Sequence, residues 1–279
     1  MSESMRKLRV GCIQITVSAN KAENVARAVE KIREAKKRGA ELVVLPECFN
    51  SFISNDYYGK YAEPIPGETT NILSKLAKEL EIFIIGGTIP ENDGDKLFNT
   101  ATVWGKSGEL MGKFRKMHLF DIDIPNEMTF RESDSLSPGN ELTIINIKDF
   151  KIGLGICYDV RFEELAKLYR KQGCNLLVYP SAFGMKTGPL HWELVGRSRA
   201  NDNQLYTVLT SQGRDLNGPY VAYGHSYVAD PWGKMLFMAG TDDELFIVDL
   251  DLDVVDKVRS NIPIFIQRRA DIYDTVQKN

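Results

Sequence analysis

The apolar and polar positions of the chain predict strands and helices that follow one another from end to end. Apolar runs of strand length lie at 8–15 and 42–45, and the segment between them has apolar positions at helical spacing. Asn20, with Glu23 three residues later, is typical of a helix start, and Gly39 ends this helix. The same patterns predict further strands at 82–86, 99–104, 110–115, 143–147, 151–156, 175–179, 206–211, 226–230, 234–238 and 245–250, and helices at 70–80, 161–172 and 189–203.

The order of these elements favours one α/β domain over residues 1–279. The sequence contains no long linker rich in Pro, Ser or Gly, no low-complexity tract and no repeat of fixed period. The segment from about residue 260 is rich in Ile, Gln and Arg. It is expected to form an extended tail, either on its own surface or on a neighbouring subunit.

The charge and the cysteine content exclude several classes of protein. A formal net charge of −3 and a pI near 5.8 provide no basic surface for nucleic acid. The longest apolar runs are of strand length, short of the roughly 18 residues that a membrane span needs. The four cysteines are widely spaced and form no CxxC pair, so neither a disulfide framework nor a zinc site is predicted. A reducing, cytoplasmic type of compartment is expected.

Three residues with useful chemistry each follow the end of a predicted strand. They are Glu47, Lys116 and Cys157. Strand ends are where open α/β sheets bind ligands, so a carboxylate, an amine and a thiol gathered there would form a nucleophile with acid–base assistance. Taken singly, each residue also fits a structural interpretation: an inert buried cysteine, or a glutamate and a lysine that face solvent.

The surroundings of these residues indicate how each would react. Cys157 lies between a glycine-containing strand and a predicted helix start, where a helix N-terminus is expected to lower the pKa of the thiol. Burial of Glu47 beside Pro46 is expected to raise the pKa of the carboxylate towards that of a general base. His118 and His191 lack the spacing of metal ligands, and we interpret them as residues that orient local structure.

The segments around these residues resemble the signature segments of the nitrilase superfamily of carbon–nitrogen hydrolases. They are Val-Leu-Pro-Glu at 44–47, Arg-Lys-Met-His at 115–118 and Gly-Ile-Cys-Tyr-Asp-Val-Arg-Phe at 155–162, in the order of that family. The resemblance implies an α/β fold of the nitrilase type, a four-layer α-β-β-α sandwich that dimerises through the helices beside the nucleophile and the C-terminal region. It implies no metal and no organic cofactor. The partners would be a small-molecule amide substrate, water and the second subunit of a homodimer.

The resemblance also implies a role for each residue of the site. Cys157 would be the nucleophile that forms a thioester acyl-enzyme, and Glu47 would be the general base, first for the thiol and then for water. Lys116 and the backbone N–H of Tyr158 would stabilise the oxyanion. Glu132 would be a second active-site glutamate, because Phe-Arg-Glu at 130–132, followed by Pro-Gly at 138–139, is similar to a further segment of the family.

Other segments bear on the substrate. Those at 46–51, 86–91, 118–125 and 187–192 resemble the Nit-type ω-amidases, which hydrolyse α-ketoglutaramate and α-ketosuccinamate to the dicarboxylic keto acid and ammonia. Those at 51–53, 180–184 and 212–214 are closer to the deaminated-glutathione amidases, which are therefore the alternative. The chain has Phe52-Ile53 where ω-amidases often have Pro-Tyr, and Gly184 where they have Asn. Phe52, Phe183 and Thr187 are expected to contact the substrate.

Two further interpretations compete with an amidase of this kind. A non-catalytic binding protein on a hydrolase fold would be expected to have lost Glu47, Lys116 or Cys157, and all three are present. A true nitrilase is expected to have Cys-Trp-Glu where this chain has Cys-Tyr-Asp at 157–159. The sequence therefore favours a cysteine amidohydrolase located in the cytoplasm, with a mitochondrial location left open.

Overall fold

Two six-stranded β-sheets, with helices on their outer faces, form the main body of the structure. The computed structural model describes residues 5–126 and 128–278. The strands in these ranges are β1 (Lys7–Gln14), β2 (Leu42–Val44), β3 (Phe83–Asp93), β4 (Lys96–Trp104), β5 (Leu110–Arg115), β6 (Asp121–Ile124), β7 (Met128–Arg131), β8 (Ile144–Ile147), β9 (Phe150–Leu154), β10 (Leu176–Ser181), β11 (Tyr206–Ser211), β12 (Tyr227–Ala229), β13 (Met235–Met238) and β14 (Glu244–Asp251). The α-helices there are α1 (Lys21–Lys37), α2 (Asn55–Tyr61), α3 (Glu68–Leu80), α4 (Glu163–Lys171), α5 (Gly188–Asn203) and α6 (Leu252–Asn261).

Each large sheet has parallel strands at its centre and antiparallel strands at its edges. The first sheet has the order β14-β1-β2-β3-β4-β5, and the second has the order β13-β12-β11-β10-β9-β8. Strands β1, β2 and β3 are parallel, as are β9, β10 and β11. β2 and β10 are buried along their whole length, because a central parallel strand is covered on both faces. Polar residues that follow such strands therefore emerge at one end of their sheet.

The helices cover the outer faces of the sheets and give the predicted four-layer α-β-β-α sandwich. On the first sheet, buried residues of α1 and α3 such as Ile32 and Leu73 pack against the strands. On the second sheet, α4 and α5 cover the other side of a large apolar cluster that also fills the space between the sheets. None of the helices in the described ranges is long and apolar enough to cross a bilayer.

The structure differs from the sequence prediction in several elements. β3 does not end at residue 86 but continues to Asp93, because its polar end pairs with β4. Helix α2, the hairpin β6–β7 and helix α6 lie where the sequence patterns predict no element. Helix α2 is short and rich in tyrosine, so its sequence shows no clear helical pattern of apolar residues. Helix α6 buries Leu252, Val255 and Val258, and their helical spacing is present in the sequence.

The chain after α6 lies against α4. From residue 262 to residue 278 it contains no further helix or strand. Lys171 Nζ lies 2.8 Å from both carboxylate oxygens of Asp274, and the Arg170 guanidinium lies 4.1 Å from the centre of the Phe265 ring. The described part of the segment after α6 therefore contacts α4 of the same chain.

Candidate active site

The three candidate residues lie at the ends of strands from both sheets. Glu47 comes shortly after β2 and Lys116 directly after β5, and both of these strands belong to the first sheet. Cys157 comes shortly after β9 in the second sheet. The exposed fractions of the three residues are 2%, 1% and 8%, so the cysteine is the most accessible of them. The structure brings together the acid, the amine and the thiol that the sequence singles out.

Lys116 forms ion pairs with two glutamates. Its Nζ lies 3.0 Å from Oε1 of Glu47, and 3.0 and 2.8 Å from Oε1 and Oε2 of Glu132. Glu132 follows β7 in a short 3₁₀ turn and is buried, so the expected second glutamate is in the same place. No group of three or more His, Cys, Asp or Glu side chains in the described ranges is arranged to hold a metal ion. The positive charge that faces the two carboxylates is that of the Lys116 ammonium group.

Neutral donors hold the two glutamates in place. The side-chain amide of Asn99 donates to Oε1 of Glu47 over 2.8 Å. Oε1 of Glu132 accepts from the Tyr58 hydroxyl at 3.3 Å, and its Oε2 accepts from the Phe120 N–H at 2.8 Å. Sequence reasoning missed these donors. The sequence could have indicated Asn99, because it is a polar amide in a predicted strand. It gives no such indication for Tyr58, which lies in helix α2, an element that the sequence patterns do not predict.

Cys157 begins a 3₁₀ turn (Cys157–Arg161) rather than a regular helix, and its φ of 46° lies in the left-handed region. This conformation costs roughly 1–3 kcal/mol for a residue with a side chain, so neighbouring groups must hold it. Oδ2 of Asp159 accepts from the Ile156 N–H, and Oδ1 accepts from the His118 N–H, both at 2.9 Å. The His118 Nδ1 lies 2.7 Å from the same Oδ1, so this histidine orients local structure.

The surroundings of Cys157 favour the protonated form of its thiol. Burial raises its pKa well above the usual value, and the negative charge of Glu47 raises it further. Lys116 and a hydrogen bond from the backbone of Ala182 act in the opposite direction but do not outweigh these effects. The expectation that a helix N-terminus lowers this pKa is therefore wrong, because the turn is short and the site is buried. The Glu47 side chain lies close enough to the thiol for each group to shift the pKa of the other.

Glu47 and Lys116 also have shifted pKa values. Burial raises the pKa of Glu47; Lys116 acts against this effect, and the charge of Glu132 adds to it. This direction agrees with the expectation for a general base. Burial acts to lower the pKa of Lys116, but the charges of Glu132 and Glu47 outweigh it and hold that pKa well above its usual value. The site therefore contains an ammonium ion beside a carboxylate that can accept the thiol proton.

A cavity opens onto these residues. Phe183 and Thr187 line it, as does Tyr158 directly after the cysteine. Phe52 is not one of the described residues that line the cavity. Its ring packs edge-on against Tyr57, with 5.2 Å between the ring centres. The neighbouring Ile53 lines the cavity instead, together with residues that sequence reasoning did not propose as substrate contacts: Phe120, Arg161, Ala182, Gly184 and Tyr220.

Arg161 brings a guanidinium group to the cavity without a carboxylate beside it. Its Nη1 lies 3.1 Å from Nδ1 of His191, and its guanidinium carbon lies 4.7 Å from the centre of the Phe183 ring. Burial lowers the pKa of Arg161, but a guanidinium remains charged at neutral pH. In the part of the chain that the structure describes, no Asp or Glu forms an ion pair with it. It is therefore available to an anionic group of a ligand.

The chain is similar to known proteins over nearly its whole length. A family model described as carbon-nitrogen hydrolase matches residues 9–260. The omega-amidase NIT2 of Mus musculus is 51% identical over 98% of this chain and 99% of its own length, and that of Homo sapiens is 50% identical over the same shares. The crystal structure of Nit3 from Saccharomyces cerevisiae, a member of branch 10 of the nitrilase superfamily, is 44% identical and superposes with a TM-score of 0.87 over 95% of this chain and 97% of its own.

Proposed function

Because this chain belongs to the carbon–nitrogen hydrolase family and is an amidohydrolase, we propose that it is an ω-amidase that hydrolyses α-ketoglutaramate and α-ketosuccinamate. The products are the dicarboxylic keto acid and ammonia. The relatives named omega-amidase support this reaction. The observation that carries the proposal is one cavity that contains both the Cys157 thiol with its acid–base partners and the guanidinium of Arg161.

In the first half of the reaction, the amide is converted to a thioester. Glu47 takes the proton of the Cys157 thiol, and the sulfur attacks the amide carbon. The carbonyl oxygen gains a negative charge, which the ammonium of Lys116 and the backbone N–H of Tyr158 stabilise. When the tetrahedral species collapses, the carbon–nitrogen bond breaks and Glu47 returns its proton to the leaving nitrogen, so ammonia departs and the acyl group stays on the sulfur.

In the second half, water replaces the enzyme on the acyl group. Glu47, again a carboxylate, removes a proton from water as the oxygen attacks the thioester carbon. The same donors stabilise the second oxyanion, and the carbon–sulfur bond breaks to give the carboxylic acid. The proton held by Glu47 returns to the thiolate. Glu132 holds Lys116 in position through both halves, since its two oxygens contact the ammonium.

Arg161 gives the site a preference for substrates with a carboxylate. A keto acid amide has its reactive amide at one end and a carboxylate at the other. A guanidinium pairs with a carboxylate through two parallel hydrogen bonds, and this interaction is strong where water is excluded. With the amide at Cys157, the carboxylate would lie against Arg161 at the wall formed by Phe183 and Thr187.

We also propose that two subunits pair through α5 and the C-terminal segment. Leu190 and Leu194 on α5 and Ile266 and Ile272 in the segment are largely exposed. Removing large apolar side chains from water favours association of two subunits. Light scattering should give a dimer mass for the wild type and a monomer mass for Leu190→Glu combined with Leu194→Glu. A monomeric wild type would contradict this pairing.

We propose a cytoplasmic location. All four cysteines are free, which supports a reducing compartment. Imaging of the tagged chain in its own cells tests the location, and a mitochondrial signal would contradict it.

The test of the activity is ammonia release from α-ketoglutaramate and from deaminated glutathione by the wild type and by Cys157→Ala. We expect the wild type to release ammonia from α-ketoglutaramate and Cys157→Ala to release none. An acyl adduct on Cys157 of the wild type should be detectable by mass spectrometry. Cys174→Ala, which changes a buried cysteine outside the cavity, is the matched control and should remain active. Turnover of deaminated glutathione alone would reject the ω-amidase proposal, and full activity of Cys157→Ala would reject the cysteine mechanism.

A further inference from the structure

The residues of the site are divided between two sheets, so their distances depend on how the sheets are held against each other. Glu47 and Lys116 follow strands of the first sheet, and Cys157 follows a strand of the second. Apolar packing between the sheets is not directional. Proton transfer from the thiol to the carboxylate requires hydrogen-bond geometry. Polar contacts that join the two sheets at the site are therefore the directional contacts that can maintain this geometry.

Gln212 provides such a contact. It follows β11 in the second sheet, is 5% exposed, and pairs with Ile15 of the first sheet in an isolated parallel bridge. Its side-chain Nε2 donates to the backbone carbonyl of Glu47 at 2.9 Å and to that of Cys48 at 3.1 Å. One buried amide group of the second sheet thus holds two consecutive peptides of the first.

The segment that Gln212 holds has an unfavourable backbone conformation. Cys48 has a φ of 45°, in the left-handed region, which costs roughly 1–3 kcal/mol. The hydroxyl of Thr88 accepts from the Cys48 N–H at 2.8 Å, and Thr210 of β11 donates to the Leu45 carbonyl at 2.9 Å. A strained segment relaxes when its restraints are removed, and the side chain of Glu47 would move with it.

We propose that Gln212 is a positioning residue for the reaction: by fixing the two peptides that flank Cys48, directly after Glu47, it keeps the Glu47 carboxylate between Lys116 and Cys157. It is not among the residues that line the cavity in which the substrate would bind. The inference rests on the proposed function only in assigning the thiol proton to Glu47. Loss of the contact should therefore affect the chemical step more than substrate binding.

The experiment compares Gln212→Met with Gln204→Met. Gln204 is the matched control, because it is also buried and its Nε2 also reaches two backbone carbonyls, those of Ile262 at 2.5 Å and Val258 at 3.5 Å, away from the cavity. Both variants lose a buried amide of the same size, and we expect similar falls in melting temperature. We expect kcat for the ω-amide to fall about 10²-fold in Gln212→Met with KM nearly unchanged, and to stay near wild type in Gln204→Met.

A second measurement needs no substrate. The rate at which iodoacetamide alkylates Cys157, followed by mass spectrometry across pH, reports the ionisation of the thiol. Because the charge of Glu47 raises the pKa of this thiol, displacement of Glu47 should move the alkylation profile of Gln212→Met to lower pH, and that of Gln204→Met should match the wild type. The measurement remains valid if the wild type hydrolyses neither ω-amide, which would reject the proposed function alone.

The positioning role is overturned if Gln212→Met keeps wild-type kcat and an unshifted alkylation profile. It is also overturned if the losses of kcat in the two variants are equal, since Gln212 would then contribute only to stability. Should Gln212→Met fail to fold, Gln212→Asn keeps a buried amide that is too short to reach both carbonyls. It must then show a reduced kcat and a shifted profile, and a wild-type result for both would refute the role.

Discussion

Lys116 is held more closely by Glu132 than by Glu47. Its Nζ contacts both oxygens of Glu132, at 2.8 and 3.0 Å, but only Oε1 of Glu47, at 3.0 Å. Asn99 also donates to that Oε1, so Oε2 of Glu47 receives neither donor. This difference supports the proposed division of roles, in which Glu132 anchors the ammonium group and Glu47 accepts the proton of the thiol.

The first prediction concerns Glu132→Gln. Its negative charge helps to raise the pKa of Glu47, so its removal should lower that pKa. The acidic limb of the profile of kcat/KM against pH should then move to lower pH. We also expect kcat to fall by about 10²-fold or more, because Lys116 loses its two-oxygen anchor.

The matched control for this prediction is Glu63→Gln. Glu63 is likewise a buried glutamate beside a lysine, Lys21, but it lies outside the cavity. The profile of kcat/KM against pH for Glu63→Gln should have its acidic limb at the same pH as that of the wild type. An unmoved limb in Glu132→Gln would show that the two carboxylates do not interact as their geometry indicates.

The second prediction concerns Lys116→Gln, which removes the cation from between two buried carboxylates. Turnover should fall by about 10³-fold, because the oxyanion loses its charged donor, while the circular dichroism spectrum stays that of the wild type. The free energy of unfolding should fall by about 3 kcal/mol at pH 8, since two buried carboxylates then face each other. The cost should be smaller at pH 5, where one of them can take up a proton. Near-normal turnover would exclude an oxyanion role for Lys116.

The sequence contains enough information for the fold class and for the strand ends that carry the site. Glu47, Lys116 and Cys157 each follow a predicted strand, but the pattern alone also fits a structural role for each, and it is the resemblance to the family's signature segments that singles them out. The contacts between them could not be derived from spacing, because Cys157 belongs to a different sheet from the other two. Asn99 and Gln212, which hold Glu47, come from further strands, and no local pattern states which strand ends face each other across two sheets.

Two local expectations failed for physical reasons. The thiol pKa rises instead of falling because burial and the charge of Glu47 dominate over a turn too short to act as a helix N-terminus. Phe52 points to Tyr57 and leaves the cavity wall to Ile53, since adjacent side chains in a bent segment face different ways. No sequence pattern separates Arg161 from the rest of the signature segment around Cys157 in which it lies.

The third prediction tests the guanidinium of Arg161 with two substrates. In Arg161→Met, the KM for α-ketoglutaramate should rise about 10- to 100-fold, because a hydrogen-bonded charge pair of this kind contributes roughly 1.5–3 kcal/mol. The kcat/KM for a neutral amide such as butyramide should change little, since it has no carboxylate to bind. Steady-state ammonia release measures both. Equal losses for the two amides would mean that Arg161 supports the cavity wall without recognising a carboxylate.

The last prediction concerns stability away from the site. Glu91 is 2% exposed, and its carboxylate accepts hydrogen bonds from Arg115 at 2.8 Å, Lys113 at 2.6 Å and Thr100 at 2.6 Å. Burial alone would raise the pKa of Glu91, but these three partners outweigh it and lower the pKa to about 2. A carboxylate whose pKa is lower in the folded than in the unfolded chain stabilises the fold at pH values above its pKa in the unfolded chain. This stabilisation is lost as the pH falls towards its pKa in the folded chain.

Glu91→Gln should therefore lower the free energy of unfolding by an amount on the order of 3 kcal/mol at pH 7, and by nearly the same amount at pH 5. Below about pH 4.5 the difference from the wild type should narrow, because the unfolded wild-type chain takes up a proton at Glu91 that the folded chain still refuses. Urea denaturation of both proteins at pH 7, 5, 4 and 3 measures this difference. Glu79→Gln, which breaks a pair with Arg33 at the surface, is the control. The pair with Arg33 also lowers the pKa of Glu79, but solvent screens this pair, so the difference from the wild type should stay small at every pH. A difference for Glu91→Gln that stayed constant down to pH 3 would mean that packing, and not the charge on Glu91, accounts for the effect.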